Sequence, residues 1–480
     1  MSTTAKENQR PQSDEILAII VDYVMDAEID SDLAYQSAGF CLMDALGCAM
    51  RALQEPECVK LLGPIIPDTI VLHGARVPGT DFVLDPVKAT FDLGAMIRWH
   101  DFNDTWLAAE WGHPSDNISA ILSVCDYISR VRLTEGHMPL KMLDVLTALI
   151  KAYEIQGILA LENSFNRMGL DHVVLVKLAS AALTTYLFGG TKQEIIDCLS
   201  QVFVDGQSLR TYRHAPNVGS RKSWAAGDAA SRGVRLAMMT LRGEKGYPSA
   251  LTARGWGFYD VSFGGKPFRL PQKFGTYVIE NILFKVAYPA EFHGQTAVEA
   301  AIALHSQLSG KIDLIEKVEI TTQEPAIRII SKKGPLHNAA DRDHCLQYMV
   351  TIALLYGYLR VDQYSDHVAS DALVDTLRAK IHVKEDPNYT RDYYDPSKRS
   401  IANAVQVFFS DGTSTEKVEI EYPLGHRRRR EEGISFLINK FEENMTLRFG
   451  EAQFTKIKEL FHNLEKLQDM PVNEFIEYFL

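Results

Sequence analysis

SDNISAILSVCDYI (residues 115–128) places Ile118, Ile121, Leu122 and Cys125 at the i, i+3, i+4, i+7 spacing of one buried helical face. Ser115 stands before them as an expected N-cap. The same period recurs on both sides. Residues 16–25, 38–53, 142–161, 173–187, 192–203 and 225–241 carry apolar side chains at helical spacing, so the first 260 residues read as helix after helix. Two longer polar segments interrupt them, 55–85 and 205–222. Near residue 260 the period changes. Val318, Ile320 and Thr322 alternate with polar residues, and 404–409 and 417–422 flank Ser410-Asp411-Gly412 as two strands of a hairpin. Helical stretches lie between, at 295–308 and 343–359, and the helical period returns at 434–449, 452–467 and 472–479. The expected fold is mainly α. A large all-helical domain, built from residues 1–270 and the C-terminal helices 424–480, carries an inserted smaller α+β lid domain over 271–423.

The 480 residues are 46% hydrophobic and 23% charged, the mix of a globular chain. Fifty Lys and Arg against 62 Asp and Glu give a net charge of −12, which repels nucleic acid and anionic membrane. Any anionic ligand must therefore find positive charge concentrated locally. The six cysteines form no C-x-x-C pair and are too few for a disulfide framework. They read as buried thiols of a reducing compartment, although three of them meeting in space at a cluster stays open. The most apolar run, 173–189, is broken by Lys177 and falls short of a membrane span. The N-terminal residues lack the marks of a secretory or transit peptide, so cytoplasm is expected, or the mitochondrial matrix if a leader has been removed. The glycosylation triplets at Asn103, Asn117, Asn388 and Asn444 then carry no meaning. Glycines at 74 and 79 match a phosphate loop only by spacing, without its lysine, and no dinucleotide, G-x-S-x-G or H-E-x-x-H motif is present. No cofactor and no metal is implied; side chains would carry the chemistry.

Chemistry-bearing residues fall in five clusters. In RWHDFNDTW (98–106) and EWGHPS (110–115) stand three of the five tryptophans, with Asp101, Thr105 and His113. A helix over 89–105 would set Asp101 and Thr105 on one face, and His113 would stand just before a helix start, where the dipole sets its charge. The alternative is a loop of core-plugging aromatics and capping groups. In SLRTYRHAPN (208–217) and SRKSW (220–224), Arg210, Arg213, His214, Arg221 and Lys222 make a basic loop entering a helix, an anion trap unless it is merely solvated. Lys285 and His293 flank a proline turn. His344 and Tyr348 are i, i+4 and would share a helical face, with Arg342 and Asp343 as ordinary helix-start charges. The run His426-Arg427-Arg428-Arg429-Arg430 is followed by Glu431 and Glu432 and reads as a salt-bridged helix start, not a nucleic-acid patch.

Taken together, RWHDFNDTWLAAEWGHPSDN (98–117), DGQSLRTYRHAPN (205–217), RKSWAAGDAASR (221–232), WGFYDVSF (256–263), GPLHNAADRDHCLQYM (334–349) and EYPLGH (421–426) resemble the MmgE/PrpD family, on its dehydratase branch, from about residue 14 to 480. The resemblance implies a helical domain with an α+β lid and a site between them. It also implies a homodimer and no metal, iron–sulfur cluster or nucleotide. It places active-site residues at Asp101, Thr105, His113, Lys222, Lys285 and Tyr348. A histidine of the decarboxylase branch, near 158–162, has no counterpart in Ile158-Leu159-Ala160-Leu161-Glu162. The implied reaction is loss of water from 2-methylcitrate to give 2-methyl-cis-aconitate. Aconitate hydration and cis-aconitate decarboxylation are related alternatives, and a non-enzymatic scaffold docking an acidic partner is a third. A tricarboxylate substrate would be held by Thr105, Arg210, Arg213, His214, Arg221 and His344. Lys222 or Lys285 would stabilise the developing aci-carboxylate. His113, oriented by Asp101, would be the main acid–base group, with Tyr348 or Lys285 as the second.

Overall fold

The computed structural model describes residues 10–214 and 216–480. Residues 1–9, which contain most of the segment read as leaderless, and Ala215 of the basic loop lie outside the described residues. The chain is mainly helical. Helices α1 (Glu15–Asp26), α2 (Asp32–Ala52), α3 (Pro86–Arg98), α4 (Ile118–Thr134), α5 (Met142–Glu162), α6 (Val173–Leu187), α7 (Lys192–Val204) and α8 (Arg221–Thr240) follow the apolar period. Local chemistry sets several starts. Ser31 accepts from the Ala34 N–H to cap α2. Asp85 accepts from Val87 and Lys88 at the start of α3, where Pro86 occupies the first turn. Thr191 and Glu194 close a capping box on α7.

Two expected boundaries move in the first half of the chain. Ser115 does not cap α4. It lies in a 3-10 turn, Pro114–Asn117, and its hydroxyl and N–H both donate to Asp104 Oδ1, at 2.7 and 3.2 Å. The helix expected over 89–105 stops at Arg98, because Asp101 adopts a left-handed backbone with φ of 51°. Asp101 and Thr105 therefore do not share a helical face. Thr105 instead pairs with Leu283 in an antiparallel bridge, with N–H···O distances of 2.8 and 3.1 Å.

A first core gathers Leu42, Leu46, Leu93, Met96, Leu149, Leu175 and Leu199 from these helices. It also takes Leu437, Phe441, Leu460 and Phe475 from the C-terminal helices α11 (Arg430–Met445), α12 (Glu451–His462) and α13 (Val472–Glu477). A second core lies between residues 290 and 409. There α9 (Gln295–His305) and α10 (Leu346–Tyr356) cover a four-stranded sheet of β1 (Ile315–Thr322), β2 (Ile381–Glu385), β3 (Asn403–Phe409) and β4 (Val418–Ile420), in the order β2-β1-β3-β4. β1 runs parallel to β2, with Val318 opposite Ile381, and antiparallel to β3, with Val318 opposite Val407. The expected hairpin joins β3 to β4, its turn eased by Gly412 at φ of 85°. The helix expected from 343 begins only at Leu346, after an extended Cys345. His344 is thus outside it and shares no helical face with Tyr348. The arginine run makes a 3-10 turn over Arg427–Arg429, and Arg429 pairs with Glu299 and Glu432 at 3.0 and 2.9 Å, the salt-bridged start expected. All six cysteines are buried and unpaired. No described helix is long and apolar enough to cross a membrane.

α3 and α8 cross at two glycines. A Cβ on Gly94 would lie 2.6 Å from Gly227 Cα, and one on Gly227 would lie 2.7 Å from the Phe91 carbonyl oxygen. This crossing sets the base of α8, which carries Lys222, against the Arg98 end of α3. Gly227→Val should cost about 1–3 kcal/mol by overpacking. Urea unfolding measures it, and an unchanged midpoint would show that the helices can separate freely.

Candidate active site

The left-handed turn after α3 presents Asp101 to four basic groups, and the carboxylate is 2% exposed. Arg98 donates to Oδ1, Lys285 Nζ donates to Oδ1 at 3.0 Å and to the Asp101 carbonyl, and His113 and His344 approach at 3.6 and 3.7 Å. Burial alone would push this carboxyl up. Arg98, Lys285 and the two histidines hold it well below the usual carboxylate range instead. From the opposite side Lys440 of α11 donates to the carbonyls of Phe102 and Lys285, at 2.5 and 2.7 Å, and pairs with Asp44 at 2.6 Å. One buried ammonium thus fastens the Asp101 turn to the Lys285 segment.

The bonds to His113 define its tautomer. Nδ1 lies 2.6 Å from the Asp104 carbonyl oxygen, which only accepts, and Nε2 lies 2.8 Å from Arg98 Nη2, which only donates. The ring is therefore neutral, with its proton on Nδ1 and a lone pair on Nε2. Its pKa is driven well below the ordinary histidine value by burial first and by Arg98 second. No helix dipole is needed. Thr105 Oγ1 stands 3.3 Å from the same Nδ1. Asp104 is itself fixed by Tyr153 and Ser115, at 2.5 and 2.7 Å, and so holds the loop that presents His113.

A narrow pocket lies at this cluster. Arg98, Arg210, Arg213 and Lys285 line it against two carboxylates, Asp101 and Glu291, so an acidic chain carries a local surplus of positive charge. Arg213 is held by Asp171, while Arg98 Nε, Arg210 Nε, Arg213 Nη2 and His172 Nε2 are buried without a hydrogen-bond partner. Buried donors left unpaired are costly, and an incoming anion would satisfy them. Arg210 also stacks on Trp111, its guanidinium carbon 4.9 Å from the ring centre.

The expected residues do not all meet here. Asp101, Thr105, His113, Lys285, Arg210, Arg213 and His344 line the cavity, and the exposed His214 stands at its rim. Lys222 lies beside it, donating to Asp343 at 2.5 and 2.7 Å and lying 3.1 Å from His344 Nδ1, and it lines a neighbouring cavity with Trp99, His100 and Tyr364. Burial lowers its pKa against the pull of Asp343. Arg221 turns away, stacking on Trp224 at 4.3 Å and pairing with Asp228 at 3.2 Å. Tyr348 sits in the second core, where its hydroxyl donates to the Gln363 carbonyl at 2.7 Å. Three further residues belong to the cluster. His172, with its ring centre 5.9 Å from that of His113, follows Asp171 at the start of α6. Asp343, expected as a helix-start charge, is the partner of Lys222 and His344. Arg98 opens the segment 98–117. An acid–histidine pair at a helix start, Asp171-His172, was the one sequence signal available for the first.

Asparagine tolerates a positive φ, so Asp101→Asn keeps the turn and removes only the charge. Arg98 and Lys285 would then be buried without their shared anion, a loss of about 3–5 kcal/mol. Urea unfolding at neutral pH measures it; a loss under about 1 kcal/mol would mean the cations find other partners.

The family model of the MmgE/PrpD N-terminal domain matches residues 18–271, and that of the MmgE/PrpD C-terminal domain matches 288–466. The chain is 58% identical over 476 residues to a protein of Escherichia coli (strain K12) named 2-methylcitrate dehydratase, covering 98% of this chain and 99% of that one. It is 56% identical over 481 residues to the 2-methylcitrate dehydratase of Salmonella typhimurium, with all of both chains covered. With a protein of Yarrowia lipolytica named 2-methylcitrate dehydratase, mitochondrial, it shares 51% over 485 residues, covering 100% of this chain and 93% of that one. Two domain models and relatives matched end to end make the chain a member of the MmgE/PrpD family.

Proposed function

We propose that the protein dehydrates 2-methylcitrate to 2-methyl-cis-aconitate by side-chain acid–base chemistry in the cavity at His113. The observation that carries this reading is a neutral imidazole whose Nε2 accepts from Arg98, in a pocket where Arg98 Nε, Arg210 Nε and Arg213 Nη2 are left unpaired. A tricarboxylate would satisfy Arg98, Arg210 and Arg213. The proton to be lost lies α to a carboxylate and is only weakly acidic. Positive charge fixed beside that carboxylate stabilises the aci-carboxylate as it forms, and Lys285 stands where it would act. The carbon–hydrogen bond breaks toward a base, the carbon–carbon double bond forms, and the hydroxyl leaves as water once an acid protonates it. His113 takes one of these proton roles and Lys285 the other. Lys222 carries charge to the cluster from its far side with His344 as its neutral neighbour, and Tyr348 acts behind them through the second core. Residues 271–423 serve as the lid, since the second core brings His344 and Asp343 to the site while 424–480 complete the helical domain. The working form is a homodimer in the cytoplasm or the mitochondrial matrix; the name of the Yarrowia lipolytica relative calls that protein mitochondrial.

The test uses chelator-treated protein with 2-methylcitrate, citrate and cis-aconitate, following the ultraviolet absorbance of the conjugated enoate and identifying products by NMR. Enoate from 2-methylcitrate, indifferent to chelator, is expected. His113→Ala should lower kcat by about 10²–10⁴ with the fold intact by circular dichroism. Full turnover in that folded variant would remove His113 from the chemistry, and carbon dioxide from cis-aconitate without turnover of 2-methylcitrate would overturn the dehydratase reading.

A further inference from the structure

The cavity is not polar all round. Leu107, Phe292 and Ile329 also line it, and they belong to one apolar cluster with Trp111, Leu283 and Ile401. Trp111 is engaged by the guanidinium groups of Arg210 and Arg328, at 4.9 and 5.3 Å from its ring centre. Leu107, Phe292 and Ile329 are the remaining apolar lining.

The position of this wall follows from strand geometry. Side chains alternate faces along an extended segment, so Thr105 and Leu107 point one way and Trp106 the other. Trp106 turns into the first core and donates its indole N–H to the Gly157 carbonyl at 3.1 Å. Thr105 and Leu107 both line the cavity, and Thr105 reaches His113 at 3.3 Å. The apolar wall therefore begins two residues from the group that contacts the acid–base histidine, on the same face.

2-Methylcitrate differs from citrate by one methyl in place of a hydrogen, and it sits on the carbon that loses the proton. A site that removes that proton must hold the methyl one bond away from the reacting carbon, next to the base. Resting on the dehydratase reading above, we infer that Leu107, Phe292 and Ile329 form the subsite for this methyl and set the preference for 2-methylcitrate over citrate. Citrate bound the same way leaves the wall facing a hydrogen, with a void where the methyl would pack and no dispersion attraction across it. One methyl-sized group in an apolar pocket discriminates by about 10–200-fold.

The experiment compares kcat/KM for the two substrates in wild type, Leu107→Ser and Ile329→Thr. The ratio of 2-methylcitrate to citrate should fall about tenfold in each variant. A merely structural role would lower both constants alike, and a ratio held at its wild-type value overturns the inference. The two residues lie on separate segments and Ile329 is only half-buried, so Ile329→Thr decides if Leu107→Ser fails to fold. Wild-type protein that turns over neither tricarboxylate would overturn the dehydratase reading and this subsite together. Wild-type turnover of both with an unmoved ratio in the variants overturns the subsite alone.

Discussion

A single buried carboxylate organises this molecule. Asp101 is almost without solvent, and a charge in that position is tolerable only if opposite charge surrounds it. That charge comes from distant parts of the chain, Arg98 at the end of α3 and Lys285 in the link between the two cores, and two neutral rings close the site, His113 from the loop before α4 and His344 from the segment before α10. None of these groups is comfortable when buried alone. Their convergence therefore couples the packing of the first core to that of the second. The left-handed turn at Asp101 belongs to the same arrangement, since a continued helix would carry the carboxylate away from Lys285. Lys440 extends the coupling to the C-terminal helices by holding two backbone carbonyls that flank the pair.

That dependence explains what could be read from residues alone. Long amphipathic helices were legible because their burial period is a property of the segment itself. The start of α2, the hairpin at Gly412 and the arginine turn likewise follow from local chemistry. Boundaries failed where a distant side chain overrides the local preference. Ser115 looks like a cap until Asp104 claims its hydroxyl, and the helix through 105 fits its own residues until Lys285 claims Asp101. The site residues named by motif gather wherever the motif segment faces the cavity. Arg221 departs because one residue along the start of α8 turns the side chain outward, toward Trp224 and Asp228, while Lys222 turns inward. His172 escaped because an acid–histidine pair just before a strongly apolar helix reads as ordinary helix-start polarity. Only the fold shows it beside His113.

The same burial that builds the site also decides how the protein meets acid. His113, His172 and His344 are held neutral, and His100 and His426 are lowered to about 3. Each would take a proton in the unfolded chain below about pH 6.5, so each withdraws stability as pH falls through that value. Buried carboxyls elsewhere act in the opposite sense. Glu110, Asp116 and Glu154 are pushed up to about 7, and Asp44 and Asp92 to about 6, so the folded chain holds protons that the unfolded chain releases above about pH 4. These carboxyls add stability as pH falls from 7 toward 4, while the histidines remove it. The two sets oppose each other across that window. Below about pH 4 the raised carboxyls are protonated in both states and their contribution stops growing. Asp101, Asp171 and Asp343, held low by their cations, then begin to lose theirs. The carboxylates paired with the cations of the cavity therefore keep their charge longest as acid is added, and the histidines are the first groups there to withdraw stability.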